Sequence, residues 1–507
     1  MKVIKLILVL YKVNLLSPSS IVYLLKALFH SGMNLMTLLE VAAIRYGNQI
    51  AIVDDESTIT YKDLLYKSNS LANYFSSGLN LHKGKKVAIL CRNHISLIQT
   101  IFAVSRVGSD IYFLNIEIGK EQLKELVKYG KYDVLVYDFE FNCLIESLDF
   151  TGVKFICNKN INHNTSTDLP RVSSGKIILQ TGGTTGKPKE ARHKPSLFNY
   201  LDPFIAFIQK LKVSDYQTAY IGTPIFHGYG IAVLLLFIPL GKKLVITSRF
   251  KAYEACKLIE NNQVEFITVV PVMLDRMLQC NVKELSSLRC IASGGAKLNS
   301  KLVRRTLNHL GDVLYNLYGT SEAGLNIIAG PKDLQYSPNT LGRKIAGVHL
   351  KLVDRNGHNV KTGVIGEFVV RNSWSMKNKN KGWIRTGDMG YKDKNGYLFL
   401  SGRTDEMIIS GGENVFPNNV EQTLYDHPQI EDAIVIGVKD KEYGQRLKAF
   451  VKTKGLTEHD IRIWLKDRIA RYQMPKEIII VNEIPYTPVG KPDKKRLIEN
   501  EINRAKL

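Results

Sequence analysis

Short apolar runs alternate with stretches of helical periodicity over the first part of the chain. Lys86-Val87-Ala88-Ile89-Leu90 is followed by helical spacing over Ile95–Val107 and then by Asp133-Val134-Leu135-Val136-Tyr137. Continuous Val/Ile/Leu runs fit strands covered on both faces, and their alternation with helices predicts an α/β architecture with a parallel sheet. Over 342–400 the pattern changes to short strands with turn signals, among them Asp354-Arg355-Asn356-Gly357 and Asp393-Lys394-Asn395-Gly396. Asn-Gly between apolar runs favours tight hairpins, because both residues tolerate positive φ. After Arg403 a smaller segment carries strand patterns at Ala433–Val438, Lys448–Val451 and Ile478–Val481 and a helical one at Ile461–Arg471. That mixture is α+β, and the expected boundary lies near Gly402–Asp405. No internal repeat is visible.

Two stretches imitate membrane segments. Tyr216 to Gly241 carries no charged side chain, but Pro224, His227, Gly228, Gly230 and Pro239 break it, so it reads as a loop entering a buried helix. The opening MKVIKLILVL starts like a signal peptide, yet Lys12 interrupts it, Pro18 follows, and no small-x-small cleavage site precedes Lys26. Residues 1–39 hold Lys2, Lys5, Lys12 and Lys26 and no acid, and Ile21–Phe29 reads as a mostly apolar helix. It either packs on its domain or touches an anionic membrane as a basic amphipathic element. The expected location is cytoplasmic, with residues 1–35 as the part able to make a peripheral membrane contact.

The 507 residues are 45% hydrophobic and 23% charged, which excludes a disordered, fibrous or polytopic membrane chain. The formal net charge of +22 suits polyanionic partners: nucleic acid, an anionic membrane or nucleotides. The densest basic groups, Lys377/Lys379/Lys381 and Lys491/Lys494/Lys495/Arg496, lack the interleaved aromatics of a single-strand groove, and nucleic acid is not expected as a partner. Six cysteines stand at 91, 143, 157, 256, 280 and 290, none in CxxC spacing. Only Cys91 has a nearby histidine, His94, and no second Cys or His pair completes a zinc site. Reduced, mostly buried thiols are expected.

The most informative stretch is Ile177 to Lys189, IILQTGGTTGKPK. An apolar strand runs into glycines that let backbone N–H groups approach anionic oxygens, with hydroxyls and a lysine beside them. This is chemically a phosphate loop. It is not a Walker A loop, because Thr181 stands five residues before Gly186 and Pro188 occupies the place of the Ser/Thr after the lysine.

TGGTTGKPK resembles the phosphate loop of the adenylate-forming superfamily, which includes acyl-CoA synthetases, luciferase and the adenylation domains of peptide synthetases. Further motifs follow in the family's order. They are Phe226-His227-Gly228-Tyr229-Gly230, Ser293-Gly294-Gly295-Ala296-Lys297-Leu298, Tyr318-Gly319-Thr320-Ser321-Glu322, Trp383-Ile384-Arg385-Thr386-Gly387-Asp388, Gly402-Arg403-Thr404-Asp405 and Gly490-Lys491. The resemblance covers nearly the whole chain beyond the first 35 or so residues. It implies a large, multi-subdomain N-terminal α/β domain over 36–402 and a smaller, mobile α+β C-terminal domain over 403–507, with Asp405 as hinge.

It also implies a reaction. A carboxylate joins the α-phosphate of ATP and expels pyrophosphate, and the acyl group then passes to a thiol. Two anions must meet, so the site needs positive charge where the transition state gathers negative charge. Lys491 is the implied bridge between carboxylate and α-phosphate. Glu322 would hold Mg²⁺, a hard cation suited to oxygen ligands. Thr181, Gly183, Thr184, Thr185, Gly186 and Lys187 would cradle phosphate with Ser321. Gly295, Ala296, Tyr318 and Gly319 would border adenine, with Tyr318 stacking, and Asp388 and Arg403 would reach the ribose. His227, Gly228 and Gly294 would border the acyl pocket. After rotation of the small domain, Gly411 and Gly412 would line the pantetheine tunnel of CoA.

The expected activity is an ATP-dependent carboxylate–CoA ligase. The chain ends 16 residues after Lys491, leaving no room for a fused carrier domain. A fatty acid is the expected substrate: the overall match is most similar to bacterial long-chain ligases, and Gly228, Gly230, Gly294, Gly295 and the apolar Ile231–Ile238 run would suit one. An aromatic or aryl-succinate acid stays open, as do an acyl-AMP ligase loading a carrier protein and a degenerate, non-catalytic binder of lipid or nucleotide. Four positions depart from the family pattern: Gly182 and Ser321 mildly, Val489 where Ser or Thr commonly precedes Gly-Lys, and Glu190 where Gly is usual. Glu190 adds an acid at the end of a loop built for anions. Glu190→Gly is therefore expected to leave ATP affinity unchanged or improved, and a weaker ATP dissociation constant by calorimetry would contradict that reading.

Overall fold

A computed structural model of the chain describes residues 17–157, 169–181, 189–193, 201–375, 382–410, 412–440, 442–487, 491–494 and 496–499, with 180, 181, 189–193 and 201 as backbone only. Gly183, Thr184, Thr185, Gly186, Lys187, Gly411 and Val489 lie outside these residues, as do the side chains of Thr181 and Glu190. The chain forms two compact units. The first is built on the residues up to Val269 with Cys280–Ile291, and the second on Val270–Gln279, Ala292–Asn372 and the chain from Asn378.

The first unit contains two sheets. One uses β1 (Ile50–Val53), β2 (Thr58–Thr60), β9 (Thr218–Ile221), β10 (Lys243–Ile246) and β11 (Phe266–Val269), in the order β11-β9-β10-β1-β2. The other uses β3 (Lys86–Leu90), β4 (Asp110–Phe113), β5 (Val134–Tyr137), β6 (Val153–Ile156), β7 (Ile177–Thr181) and β8 (Lys189–His193). Its order is β6-β5-β3-β4-β7-β8, parallel except for β8. One face of this sheet packs Ala88, Leu90, Leu135, Tyr137 and Ile178 against Leu123, Val127 and Tyr132. The helix Ile95–Arg106 follows β3, and ten of its twelve residues are buried. Both strand runs and this helix lie where the apolar pattern put them.

The charge-free Tyr216–Gly241 stretch does enter a buried helix, Gly228–Phe237. Its first part is not loop, however. Thr218-Ala219-Tyr220-Ile221 is β9, fully buried between β10 and β11. A four-residue central strand has neither the length nor the alternation to announce itself. Among the described residues, no helix is long and apolar enough to cross a membrane.

The second unit carries an antiparallel sheet. Its strands are β13 (Leu314–Thr320), β14 (Gly324–Ala329), β15 (Thr340–Lys344), β16 (His349–Val353), β17 (Gly366–Arg371), β18 (Ile384–Lys392) and β19 (Leu398–Arg403), in the order β16-β17-β18-β19-β15-β14-β13. The two Asn-Gly sites are hairpin turns, with Gly357 and Gly396 at φ +86° and +82°. Each opens on an aspartate whose carboxylate accepts backbone N–H groups across the turn, His358 at 2.9 Å for Asp354 and Tyr397 at 2.8 Å for Asp393.

Beyond Arg403 the chain is α+β. β20 (Ile408–Ser410), β21 (Glu413–Val415), β22 (Ile430–Asp440), β23 (Gly444–Thr453) and β24 (Glu477–Ile480) form one sheet, with β24 parallel to β23. Helices Pro417–Tyr425 and Glu458–Lys466 cover one face through Val420, Leu424, Ile461 and Leu465. The second helix starts and ends earlier than the expected Ile461–Arg471. Thr457 and Asp460 form a reciprocal capping box that satisfies its first N–H groups.

Candidate nucleotide and acyl site

Within the second unit, three expected site residues meet around one carboxylate. Asp388 on β18 faces Arg403 on β19 in the strand register. Tyr318 on β13 donates its hydroxyl to Asp388 Oδ2 at 2.6 Å, and Arg403 Nη1 donates to Asp388 Oδ1 at 3.3 Å. The Arg403 guanidinium also grips Asp405, Nε to Oδ1 at 2.9 Å and Nη2 to Oδ2 at 3.3 Å. Asp405, the expected hinge, is thus tied to the expected ribose site by a single side chain.

Burial pushes the Asp388 carboxyl above the ordinary carboxylate range. The Tyr318 hydrogen bond, Arg403 and Lys491 pull it down, and Asp405 pushes it up. Lys491 is therefore within electrostatic reach of Asp388, and its own side chain is exposed. Its turn is fixed by Thr487, whose N–H donates to the Lys491 carbonyl at 2.8 Å and whose hydroxyl accepts the Lys491 N–H at 3.2 Å. Tyr318 is itself buried, edge-on to Phe368 with ring centroids 5.8 Å apart.

Four glycines of this unit stand where a side chain would be strained. Gly387 sits at φ +75° immediately before Asp388, and Gly295 at φ +81° follows strand Cys290–Gly294. A Cβ on Gly319 would lie 2.3 Å from the Gly324 carbonyl oxygen, beside a register shift between β13 and β14. Gly412 has φ +90° and open surroundings. Ala296 is half-buried, Ser321 exposed and Glu322 half-buried. Glu322 has no ion-pair partner among the described residues, so its carboxylate is available to a hard cation, and the donor chemistry fits Mg²⁺.

The motif reading missed Glu367. It is buried on β17, accepts the Gly387 N–H at 3.2 Å and pairs with Arg385 Nε at 2.8 Å. It braces the turn that aims Asp388. A glutamate in a strand carries no sequence signal of this, because its partners come from the neighbouring strand.

In the first unit, His227 stands at the N-terminal boundary of helix Gly228–Phe237 and contacts Phe226 with ring centroids 4.5 Å apart. The preceding loop is pinned by buried Asn93, which donates to the Thr223 carbonyl at 3.2 Å and accepts the Ile225 N–H at 2.8 Å. Asn93 was also missed, its target lying 130 residues away. Gly228 is exposed, and a Cβ there would press on Leu179 Cδ1 at 2.9 Å. Gly294, in the second unit, is buried at the end of its strand.

Comparison with known proteins follows the same outline. Residues 39–378 match the model of the AMP-binding enzymes, and residues 419–491 match that of the AMP-binding enzyme C-terminal domain. A putative acyl–CoA ligase, YdaB, of Bacillus subtilis is 27% identical over 488 residues, spanning 89% of this chain and 95% of that protein. A 2-succinylbenzoate–CoA ligase of Bacillus cereus is 27% identical over 90% of this chain and 95% of its own. An indoleacetate–CoA ligase of Aromatoleum aromaticum is 29% identical over 88% and 93%. The solved structure of Bacillus subtilis O-succinylbenzoate coenzyme A synthetase with ATP and magnesium superposes with a TM-score of 0.79, at 23% identity, over 91% of this chain and 99% of that one. The fold is that of a large N-terminal α/β domain with a smaller C-terminal α+β domain.

Two substitutions test the carboxylate cluster by pH. If ionised Asp388 holds the nucleotide, ATP binding is lost as pH falls through a value above that of an ordinary aspartate. Tyr318→Phe removes a bond that favours the ionised form, so the acid limb of kcat/KM for ATP moves to higher pH. Asp388→Asn abolishes that limb and costs about tenfold to a hundredfold in kcat/KM, the range for a hydrogen bond to a charged group. An acid limb unmoved by either change would contradict the assignment.

Proposed function

The chain belongs to the family of AMP-binding enzymes, and on that premise we propose that it joins a carboxylic acid to CoA through an acyl-adenylate. The carrying observation is the Tyr318–Asp388–Arg403 cluster with Lys491 in electrostatic reach of it. In the first step a carboxylate oxygen bonds the α-phosphorus of ATP, and the bond to pyrophosphate breaks. Lys491 offsets the charge of the two anions that meet there. Asp388 accepts the ribose hydroxyls and Arg403 keeps it oriented. Glu322 is the residue to hold Mg²⁺, which neutralises phosphate charge when bound. In the second step the CoA sulfur bonds the acyl carbon, the acyl–oxygen bond to AMP breaks, and the thiol proton leaves to solvent. Gly411 and Gly412 are the proposed edge of the pantetheine path, and Asp405 the proposed pivot between the steps.

The acid is proposed to be aromatic. The relatives compared above include enzymes named for 2-succinylbenzoate and indoleacetate, and none of them is named for a fatty acid. Two features that had suggested a fatty acid have a packing explanation. A Cβ on Gly230 would lie 2.3 Å from the Pro224 carbonyl oxygen, and the Ile231–Ile238 run buries Ile231, Val233, Leu234, Leu236, Phe237 and Ile238 in the core. Neither needs an acyl chain to account for it.

A peripheral lipid contact through residues 1–35 belongs to the same proposal. Helix Pro18–Ser31 leaves Ile21, Val22, Leu25 and Phe29 exposed, and Lys26 lies among them. Deleting residues 1–35 is expected to reduce co-sedimentation with anionic vesicles, and unchanged co-sedimentation would end that part of the reading.

The ligase reading is tested by AMP release from ATP with and without CoA, across benzoate, anthranilate, indoleacetate, 2-succinylbenzoate, acetate and oleate. CoA-dependent release strongest with an aryl acid is expected, and Lys491→Ala should lower it by orders of magnitude while ATP still binds. Release peaking with oleate would overturn the aromatic assignment. Release that ignores CoA but responds to an acyl carrier protein would favour carrier loading.

A further inference from the structure

Four side chains with metal-binding atoms meet in the first unit, and none has a part in the chemistry above. Cys91, His94, Asp138 and Cys157 each offer one donor atom, and the four atoms lie within 4.8 Å of one another. Cys91, Asp138 and Cys157 are buried and His94 is half-buried. The sequence reading rejected zinc because no second Cys or His pair follows Cys91 and His94. The fold overturns the reason for that rejection. It brings Asp138 and Cys157 to the pair from separate strands.

The strand register explains how. Leu90 pairs with Tyr137, and Tyr137 with Ile156. The ladder continues one residue further, Asp138 N–H to the Leu90 carbonyl at 3.2 Å and Cys157 N–H to the Tyr137 carbonyl at 2.8 Å. Cys91, Asp138 and Cys157 therefore form one row at the carboxyl ends of β3, β5 and β6. Residues in one row of a parallel sheet point to the same face. Helix Ile95–Arg106 supplies the rest from that face. Thr100 Oγ1 lies 3.5 Å from Cys157 Sγ, and His94, the N-cap residue, places Nε2 2.8 Å from Asp138 Oδ1.

The spacing separates a metal site from a disulfide. The cysteines stand two strands apart, which at about 4.8 Å per strand puts their Cα atoms about 9–10 Å from each other. A disulfide spans at most about 7 Å between Cα atoms. Two thiolates held about 2.3 Å from one tetrahedral ion instead sit roughly 3.8 Å apart, a separation the row allows.

We propose that this cluster binds one divalent transition ion of the zinc class through Cys91 Sγ, Cys157 Sγ, His94 Nε2 and Asp138 Oδ1. Two thiolates, an imidazole and one carboxylate suit zinc and not magnesium. Binding releases the two thiol protons. The His94 ring proton passes from Nε2 to Nδ1, so the cap that Nδ1 now gives the Leu97 N–H at 3.1 Å is given up. Asp138 keeps its second oxygen on the Arg92 N–H at 2.7 Å, which already orients the carboxylate. Four protein donors leave no open position, so the ion ties three strand ends together and takes no substrate.

The test uses the full-length, metal-free protein in excess Mg²⁺ without nucleotide, titrated with Co²⁺ and then Zn²⁺. Thiolate-to-cobalt charge-transfer absorption is expected to saturate at about one ion per chain and to be bleached by Zn²⁺. Cys157→Ser should lose the band, and Cys143→Ser, an exposed cysteine outside the cluster, should keep it. His94→Gln keeps both thiols and should weaken Co²⁺ binding about tenfold or more, which gives a second readout if Cys157→Ser does not fold. Zn²⁺ should raise the Tm of the wild-type protein and of Cys143→Ser. Absence of the band in wild type, or a band that persists in Cys91→Ser and Cys157→Ser, would overturn the proposal. So would a Cys91–Cys157 disulfide in the purified protein by mass spectrometry.

Discussion

Asp388 is a carboxylate removed from water, 8% exposed, and the phenol and guanidinium that face it offset the burial that disfavours its ionised form. An unpaired buried charge costs several kcal/mol or shifts its pKa until it neutralises. That requirement fixes much else. Tyr318 must come from β13, Arg403 from β19, and Gly387 must adopt the left-handed turn that aims the carboxylate. Glu367 must hold that turn from β17. Four strands of one antiparallel sheet are thus committed to placing one side chain, and Arg403 carries the constraint on to Asp405.

The scaffold was largely legible from the chain. The β3 and β5 runs, the helix after β3, the two Asn-Gly hairpins and β22, β23 and β24 follow from local periodicity and turn chemistry, whereas the three-residue strands β20 and β21 do not. β9 was not legible, because a four-residue strand between two parallel neighbours shows no period. The helix expected over Ile461–Arg471 runs over Glu458–Lys466 instead: the capping box at Thr457 and Asp460 starts it earlier, and Arg471 belongs to a separate turn.

The site was legible in a different way. Its motifs named Tyr318, Asp388, Arg403 and Lys491 through resemblance, yet not the bonds among them. Glu367 and Thr487 support those residues through a partner on a neighbouring strand or at a turn's far end, and Asn93 supports the separate loop before His227. Such residues have no spacing rule, since the backbone brings them together only after folding. The Cys91–His94–Asp138–Cys157 cluster is the extreme case. Gaps of 44 and 19 residues separate its three parts, and only the parallel register aligns them.

The central claim is that this chain makes an acyl-adenylate before any thiol takes part. Acid-dependent exchange of labelled pyrophosphate into ATP, measured without CoA, tests that step alone. Exchange that requires an aryl carboxylic acid and proceeds in the complete absence of CoA is the predicted result. No exchange with any acid, from a protein that binds ATP, would contradict it.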